Sequence, residues 1–529
     1  MSKHIPLEQN FQQSSPKTVT LTDDELAAEL RKPFYNRWTL LLVVTVFAAV
    51  FGSSFQSGFH TGCVNPIGLE AASWVNGSSN RMYGTALTKP EVDFQWSLTV
   101  GQLNIGGLVG GYISQHASHQ FGRRGALLLN NIILFVGVAV MSLARYVDVY
   151  QLLPIGRFFV GVCCGLGSAI VPMFVTEIAP ITKRGALGSL HQLTFTFSML
   201  VSSIVGLPEF LGNVDYWQLI FAVSCIPGLI QLVILPFCPE SPKYSITVRK
   251  NVNKATHDLQ RLRGYEDVAT EMTFLKREAA KSHQIKRVSM LELFRNPIYR
   301  FRTIIAIMLM LALQFSGISA VFFFSRTIFT EAGLTGKMPF YATIFMNVLN
   351  FGMTIIAAKL MDHRHFGRRV LLLAGLCGMC VCTVMIVVSM CLSTSILPAE
   401  VRTFGSYSSV AWVLLFVVFF AMGPGPIPWF FCNEIFPAHA KGTAASVAVM
   451  CNWIAGGVVG IFFLPMTNIL GHYSFLVFTV TLLWFIFFMY KYLPETKGKT
   501  VQEVEQEMGI FDPLEMDLPN VKTSLISKC

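Results

Sequence analysis

Four amide side chains, Gln192, Gln314, Asn350 and Asn452, sit inside long apolar stretches of this chain. Each amide offers a donor and an acceptor and carries no charge. Two tryptophans, Trp429 and Trp453, lie in similar surroundings. Neutral hydrogen-bonding groups beside aromatic planes suit a ligand that shows hydroxyls at its edge and C–H groups on its faces. A single amide in an apolar helix is as readily explained by a hydrogen bond to a neighbouring helix. Four, spread over both halves of the sequence, favour a shared ligand. Trp429 follows the run Gly423-Pro-Gly-Pro-Ile-Pro428 in mid-stretch, which argues against an interfacial anchor. The prolines remove backbone donors, so the helix is expected to bend there as a gate on the outer side of the membrane.

Charged groups recur in matching places. Phe121–Arg124 repeats as Phe366–Arg369. Glu177 with Arg184 repeats as Glu434 with Lys441, and Pro239–Lys243 repeats as Pro494–Gly498. The separation is roughly 250 residues, which suits a duplicated multi-helix half rather than a short solenoid repeat. Arg123, Arg124, Glu177 and Arg184, and their counterparts Arg368, Arg369, Glu434 and Lys441, fall at helix ends on one side.

The elements that hold these groups must be membrane helices. Of 529 residues, 53% are hydrophobic and only 13% charged, against about 25% charged in ordinary soluble domains. The net charge of +10 is not a nucleic-acid footprint, because its Lys and Arg sit in short loops and one central segment. That distribution sets orientation in a membrane, with the basic loops inside. Apolar stretches long enough to span the hydrocarbon number six before residue 238 and six after residue 301. The expected class is an all-α membrane protein with a cytosolic N-terminal tail at 1–35 and a six-helix half at 36–237. A cytosolic helical linker domain at 238–301, a second six-helix half at 302–493 and a cytosolic C-terminal tail at 494–529 complete it. Residues 1–35 are polar and show no cleavable signal.

Asn76-Gly77-Ser78, in the outer loop near residues 62–94, reads as a glycosylation acceptor. Cys377-x-x-Cys380-x-Cys382 lies in an apolar run without neighbouring His or carboxylate, and is read as packing rather than a metal site. No Walker loop, His-Glu-x-x-His motif or nucleophile elbow occurs, so neither an enzyme nor ATP-driven transport is expected. No cofactor is expected.

Further motifs carry a resemblance. They are Gly156-Arg-Phe158, Val171–Phe174 with Glu177, Arg184–Gly188 with His191–Leu193, Gln314–Ile318, Asn452-Trp453 and the repeated segments above. In this order and spacing, over about residues 36–510, the chain resembles the sugar porter family of the major facilitator superfamily, especially the animal facilitative glucose and fructose transporters. The resemblance implies 12 transmembrane helices in two six-helix halves, working by alternating access. It implies facilitative uniport of glucose or fructose at the plasma membrane, with hexose and membrane lipid as partners and no nucleic acid. Gln192, Gln314, Asn350 and Trp429 match sugar-contacting positions, and Asn452 and Trp453 match lining positions. Ser319 stands where an Asn is usual and Leu313 where a Gln is usual. His60 stands where proton-driven relatives carry Asp and facilitative ones Asn. The repeated charges match groups that pair between helices when the family's carriers face outward and separate when they face inward. Two other readings stay open, a proton-coupled sugar symporter with His60 as relay and a non-transporting sugar sensor.

Overall fold

Helices that are apolar on every side cannot hide their surface from water by packing one stripe, and they demand a lipid surround. The computed structural model describes residues 23–284, 288–362, 366–393 and 398–497, with 499, 503, 504 and 508 beyond them. Most of both expected tails lies outside the described residues. The long helices are α1 (Leu40–Gly62), α2 (Lys89–Gln120), α3 (Gly122–Val147), α4 (Leu152–Ile178), α5 (Leu190–Val205) and α6 (Trp217–Phe237). They continue as α7 (Pro297–Glu331), α8 (Met338–Asp362), α9 (Arg368–Leu392), α10 (Ala399–Met422), α11 (Ala438–Leu470) and α12 (Ser474–Tyr492). Among the described residues, nine stretches are by themselves long and apolar enough to cross a membrane, and one of these, Ala440–Tyr492, holds both α11 and α12. The remaining two helices, α2 and α5, fall short for local reasons. Polar residues such as Gln102 and Asn104 dilute α2, and α5 has only 16 residues.

Small residues let these helices approach closely. A Cβ at Gly161 of α4 would run into the carbonyl of Leu103 on α2, and one at Gly106 of α2 into the carbonyl of Phe158. Backbone-to-backbone packing of this kind supplies dispersion contacts where no hydrophobic drive between helices exists. The same device joins α2 to α11, where the Trp453 ring comes within 2.5 Å of the position a Cβ on Gly107 would take.

Two helices are interrupted at matching places. A π-turn at Val50–Ser54 interrupts α1, and another at Gln314–Ile318 interrupts α7. Gly317 has φ 95°, which only glycine adopts without strain, and a Cβ there would lie 2.8 Å from the Phe478 ring. The proline run also breaks its helix. α10 stops at Met422, Gly423 is non-helical, and a nine-residue helix resumes at Ile427–Ile435. The break follows 24 residues of helix, roughly 36 Å at 1.5 Å per residue. It therefore lies toward the end of the bundle that carries residues 238–301, not toward the outer loop where the gate was expected. Counting rise from the proline run to each end of its helix would have revealed this.

The segment expected as an outer loop is largely helical, at Gly68–Tyr83, closed by Gly84 in the left-handed region. Asn76 lies on this helix, and its side-chain oxygen accepts from the Leu87 N–H at 2.8 Å. Ser78 is buried and donates to the Asp148 carbonyl.

The segment 238–301 forms four short helices, Pro242–Thr247, Val252–Arg263, Ala269–Gln284 and Met290–Arg295. Leu259, Met272 and Leu275 make a small core between them. Arg263 pairs with Glu271 at 2.6 Å and donates to the Ile178 carbonyl at 2.9 Å, which ties this layer to the end of α4.

At the same end, one arrangement is built twice. Glu240 accepts from the backbone N–H groups of Arg123 and Arg124 at 3.2 Å, at the start of α3. Glu495 accepts from those of Arg368 and Arg369 at 2.9 and 3.1 Å, at the start of α9. A carboxylate at a helix N-terminus meets both unsatisfied donors and the positive end of the dipole. Burial nevertheless raises the Glu240 carboxyl above its ordinary value, against the pull of these N–H groups and the two arginines. A raised folded value makes this group's contribution fall as pH rises from the ordinary glutamate range through the folded one. Glu240→Gln should remove that slope while keeping an acceptor. Glu240→Ala leaves buried donors unmet and should lower the melting temperature by several degrees, for a loss of about 1–3 kcal/mol. Thermal melts of purified protein across acid to neutral pH measure both.

Candidate functional site

The interrupted turn of α7 projects Gln314 toward α11. Gln314 Nε2 donates to Asn452 Oδ1 at 3.0 Å, and the Ser319 hydroxyl donates to Gln314 Oε1. Gln314, Ser319 and Asn452 are 9%, 7% and 5% exposed, so a neutral polar cluster stands in an apolar bundle. Ser319, which stands where the family usually has an Asn, thus acts as the internal partner of the neighbouring amide. Leu313 beside it is buried among apolar side chains. Trp453 follows Asn452 and rests on α2 at Gly107, with its indole nitrogen buried and without a hydrogen-bond partner among the described residues.

The other expected site residues stand apart from this hydrogen-bonded cluster. Asn350 is buried on α8 and Gln192 half-buried on α5, and among the described residues neither side chain is hydrogen-bonded to it. Trp429 sits on the short helix just past the α10 break and is partly buried against the core. His60 is fully buried in α1. Its carbonyl accepts from Arg157 Nη1 at 2.7 Å, its Nδ1 is 3.9 Å from the Cys63 sulfur, and its Nε2 has no hydrogen-bond partner among the described residues. These neighbours all belong to the first half.

Among the repeated charges, Arg123 pairs with Glu177 at 2.9 Å and Arg368 with Glu434 at 2.7 Å. Ser241 donates to Glu177 and Thr496 to Glu434, each at 2.5 Å. Arg124 instead donates to the carbonyls of Pro236 and Cys238, and Arg369 to that of Tyr490. Arg184 and Lys441 form no ion pair among the described residues, and Arg184 Nε is buried without a partner. Both intact pairs join residues of one half, so a rigid movement of one half against the other leaves their lengths unchanged.

Among the described residues, the polar contacts between the halves gather at the opposite end. Asn65 donates to the Phe322 carbonyl at 3.1 Å and accepts from the Arg326 N–H at 2.9 Å. The Arg326 guanidinium donates to both oxygens of Glu70, one of them at 2.9 Å, and lies 4.0 Å over the Phe340 ring. Lys337 pairs with Glu209, Asn347 Nδ2 donates to Ser203 at 2.8 Å, and Asn468 donates to Asp93 at 2.9 Å. Sequence reasoning singled out none of these. Arg326, a lone cation in an apolar stretch, was the available signal for the largest of them. Glu240 and Glu495 were visible as a repeat, but their role at the helix starts was not.

A bundle of long helices, one of them interrupted at a neutral polar cluster, with the same charged frame built twice at one end, is a membrane carrier of the major facilitator fold. The family model described as "Sugar (and other) transporter" matches residues 45–508, and the chain belongs to this family, the sugar porters. It is 46% identical over 455 residues to "Facilitated glucose transporter protein 1" of Caenorhabditis elegans, covering 86% of this chain and 88% of that protein. It is 36% identical over 469 residues to "Solute carrier family 2, facilitated glucose transporter member 1" of Gallus gallus, covering 89% and 94%. Among solved structures, the partially occluded inward open conformation of the xylose transporter XylE from E. coli superposes with a TM-score of 0.71. The two are 25% identical, covering 87% of this chain and 100% of that one. The protein is a sugar transporter, not an enzyme.

Proposed function

We propose that the protein is a facilitative hexose uniporter that moves glucose or fructose across the plasma membrane by alternating access. The observation that carries this reading is the neutral cluster of Gln314, Ser319 and Asn452 beside Trp453. It offers amide and hydroxyl groups and an aromatic face but no charge. Gln192, Asn350 and Trp429 line the rest of the sugar's path. Residues 36–237 rock against 302–493, with 238–301 as a cytosolic linker and both termini in the cytosol, as the basic loops direct. The α10 break bends as the cytosolic gate, and the contacts around Arg326 close the outer one. The names of the similar proteins from Caenorhabditis elegans and Gallus gallus favour glucose.

Uniport is favoured by the surroundings of Arg157. Its guanidinium meets the carbonyls of His60, Thr99 and Val100, and no carboxylate among the described residues is within ion-pair reach. A proton-driven cycle needs a group that gains and loses a proton as the site turns, and α1 carries no Asp or Glu. Asn76 is the proposed glycan acceptor. Since its oxygen and the Ser78 hydroxyl are engaged in the folded chain, attachment would precede folding of that helix.

Uptake of labelled glucose and fructose into proteoliposomes, with and without a proton gradient, tests the proposal. Saturable uptake indifferent to the gradient is the expected result. Accumulation above equilibrium only with an inward proton gradient would replace uniport by symport through His60. Sugar binding without flux would make the protein a sensor.

A further inference from the structure

Asn104 of α2 faces the cluster from the other half. It is 5% exposed, and its side-chain Nδ2 is buried without a hydrogen-bond partner among the described residues. The position that a Cβ on Gly456 would take is 2.7 Å from Asn104 Oδ1 and 3.4 Å from the Gln314 side-chain carbon. Gly456 lies one helical turn beyond Asn452 on α11. With no side chain there, an amide from α2 reaches the space beside Gln314 and Asn452. Gly107, which carries the Trp453 ring, is three residues along the same face of α2. Among the described residues, Asn104 Nδ2 is a buried N–H donor without a partner beside the polar cluster, and Trp453 Nε1, on the residue after Asn452, is another.

A buried donor left unmet is costly, and Gln314 does not meet it: its Oε1 accepts from Ser319 and its Nε2 donates to Asn452. We infer that Asn104 is a substrate-contacting residue that donates from Nδ2 to a hydroxyl oxygen of the carried sugar, so that the sugar bridges α2 of the first half and α7 and α11 of the second. This rests on the proposed hexose reading and extends it. It places a specificity-determining donor on α2 of the first half, opposite Gln314 and Asn452 of the second, and links sugar occupancy to the spacing of the halves.

The test uses the full chain in proteoliposomes. Wild type, Asn104→Leu and Asn104→Ala are compared for uptake of the carried hexose and for inhibition by its series of singly deoxygenated analogues. Asn104→Leu keeps the approximate size, adds no charge and removes the donor. It should raise the half-saturation concentration about tenfold, the loss of one hydrogen bond, with the maximal rate within about twofold. In wild type, one deoxy analogue should bind about tenfold more weakly than the parent sugar, and in Asn104→Ala that difference should vanish. Packing alone would not produce such a selective loss. Asn104→Ser serves where the alanine variant fails to reach the membrane. Unchanged half-saturation together with a wild-type pattern across the analogues would overturn the inference and leave the hexose reading standing. Absence of flux or binding of any hexose by folded wild type would overturn both.

Discussion

Gln314→Ala should abolish saturable hexose uptake, or raise its half-saturation concentration by about a hundredfold, with protein at the membrane undiminished. Gln314 is the centre of the cluster and has a partner at each end of its amide. Truncation removes the group proposed to touch the sugar and strands its neighbours as well. Asn452 loses the donor to its oxygen, and the Ser319 hydroxyl loses its acceptor, each in a buried place. Each unmet group costs about 1–3 kcal/mol, and a hundredfold change is about 2.8 kcal/mol. The loss falls on binding rather than on assembly, because α7 is held elsewhere by apolar packing along its length. Gln314→Glu should be as damaging despite its matching shape, since it puts a charge into a neutral site. Uptake kinetics combined with surface labelling separate these effects. Normal half-saturation in both variants would remove Gln314 from the site.

Arg326→Ala and Glu70→Ala should each open the outer end of the bundle. The Arg326 and Glu70 side chains are 10% and 16% exposed, and their bond is two-pronged. The guanidinium also meets the Pro66 carbonyl and the Phe340 ring. A part-buried, bidentate pair is worth more than the 0–1 kcal/mol of an exposed one. Removing one partner leaves the other charge poorly solvated. A bias of about 1.4–2.8 kcal/mol shifts a two-state equilibrium ten- to a hundredfold. Ser203, buried beneath this closure where it accepts from Asn347, can be replaced by Cys as a reporter. Its labelling by a membrane-impermeant thiol reagent from the outer side should then quicken by about that factor. The swapped pair Glu70→Arg with Arg326→Glu should restore slow labelling. Equal rates in all variants would show that the closure is carried by the surrounding apolar contacts instead.

These two predictions stand in different relation to the sequence. Gln314 was legible because an amide in a long apolar stretch is conspicuous, and so were Asn452 and the repeated charges. Asn104 is chemically the same kind of residue in the same kind of stretch. It passed unnoticed because only the crossing of α2 with α11 brings it to Gln314, through the bare Cα of Gly456. The proline run announced a bend, and the structure moved that bend to the end beside residues 238–301. Arg123 pairs with Glu177 and Arg368 with Glu434, each within a single half. The burden of holding the halves together thereby shifts to Arg326, Asn65 and their neighbours.

The sequence by itself determined the membrane setting, the helical class, the internal repeat and the neutral character of the site. Those properties follow from hydropathy, charge placement and side-chain type, which are local and need no partner to be read. Only the tertiary structure decided which amides meet, that α7 turns at Gly317, that Glu240 and Glu495 satisfy the starts of α3 and α9, and that the polar contacts between the halves gather at one end. Each of these depends on which faces of distant helices come into contact. An apolar helix has no polar stripe to declare its buried face, so its rotation is settled by close packing at small residues and by the few polar groups that must find partners.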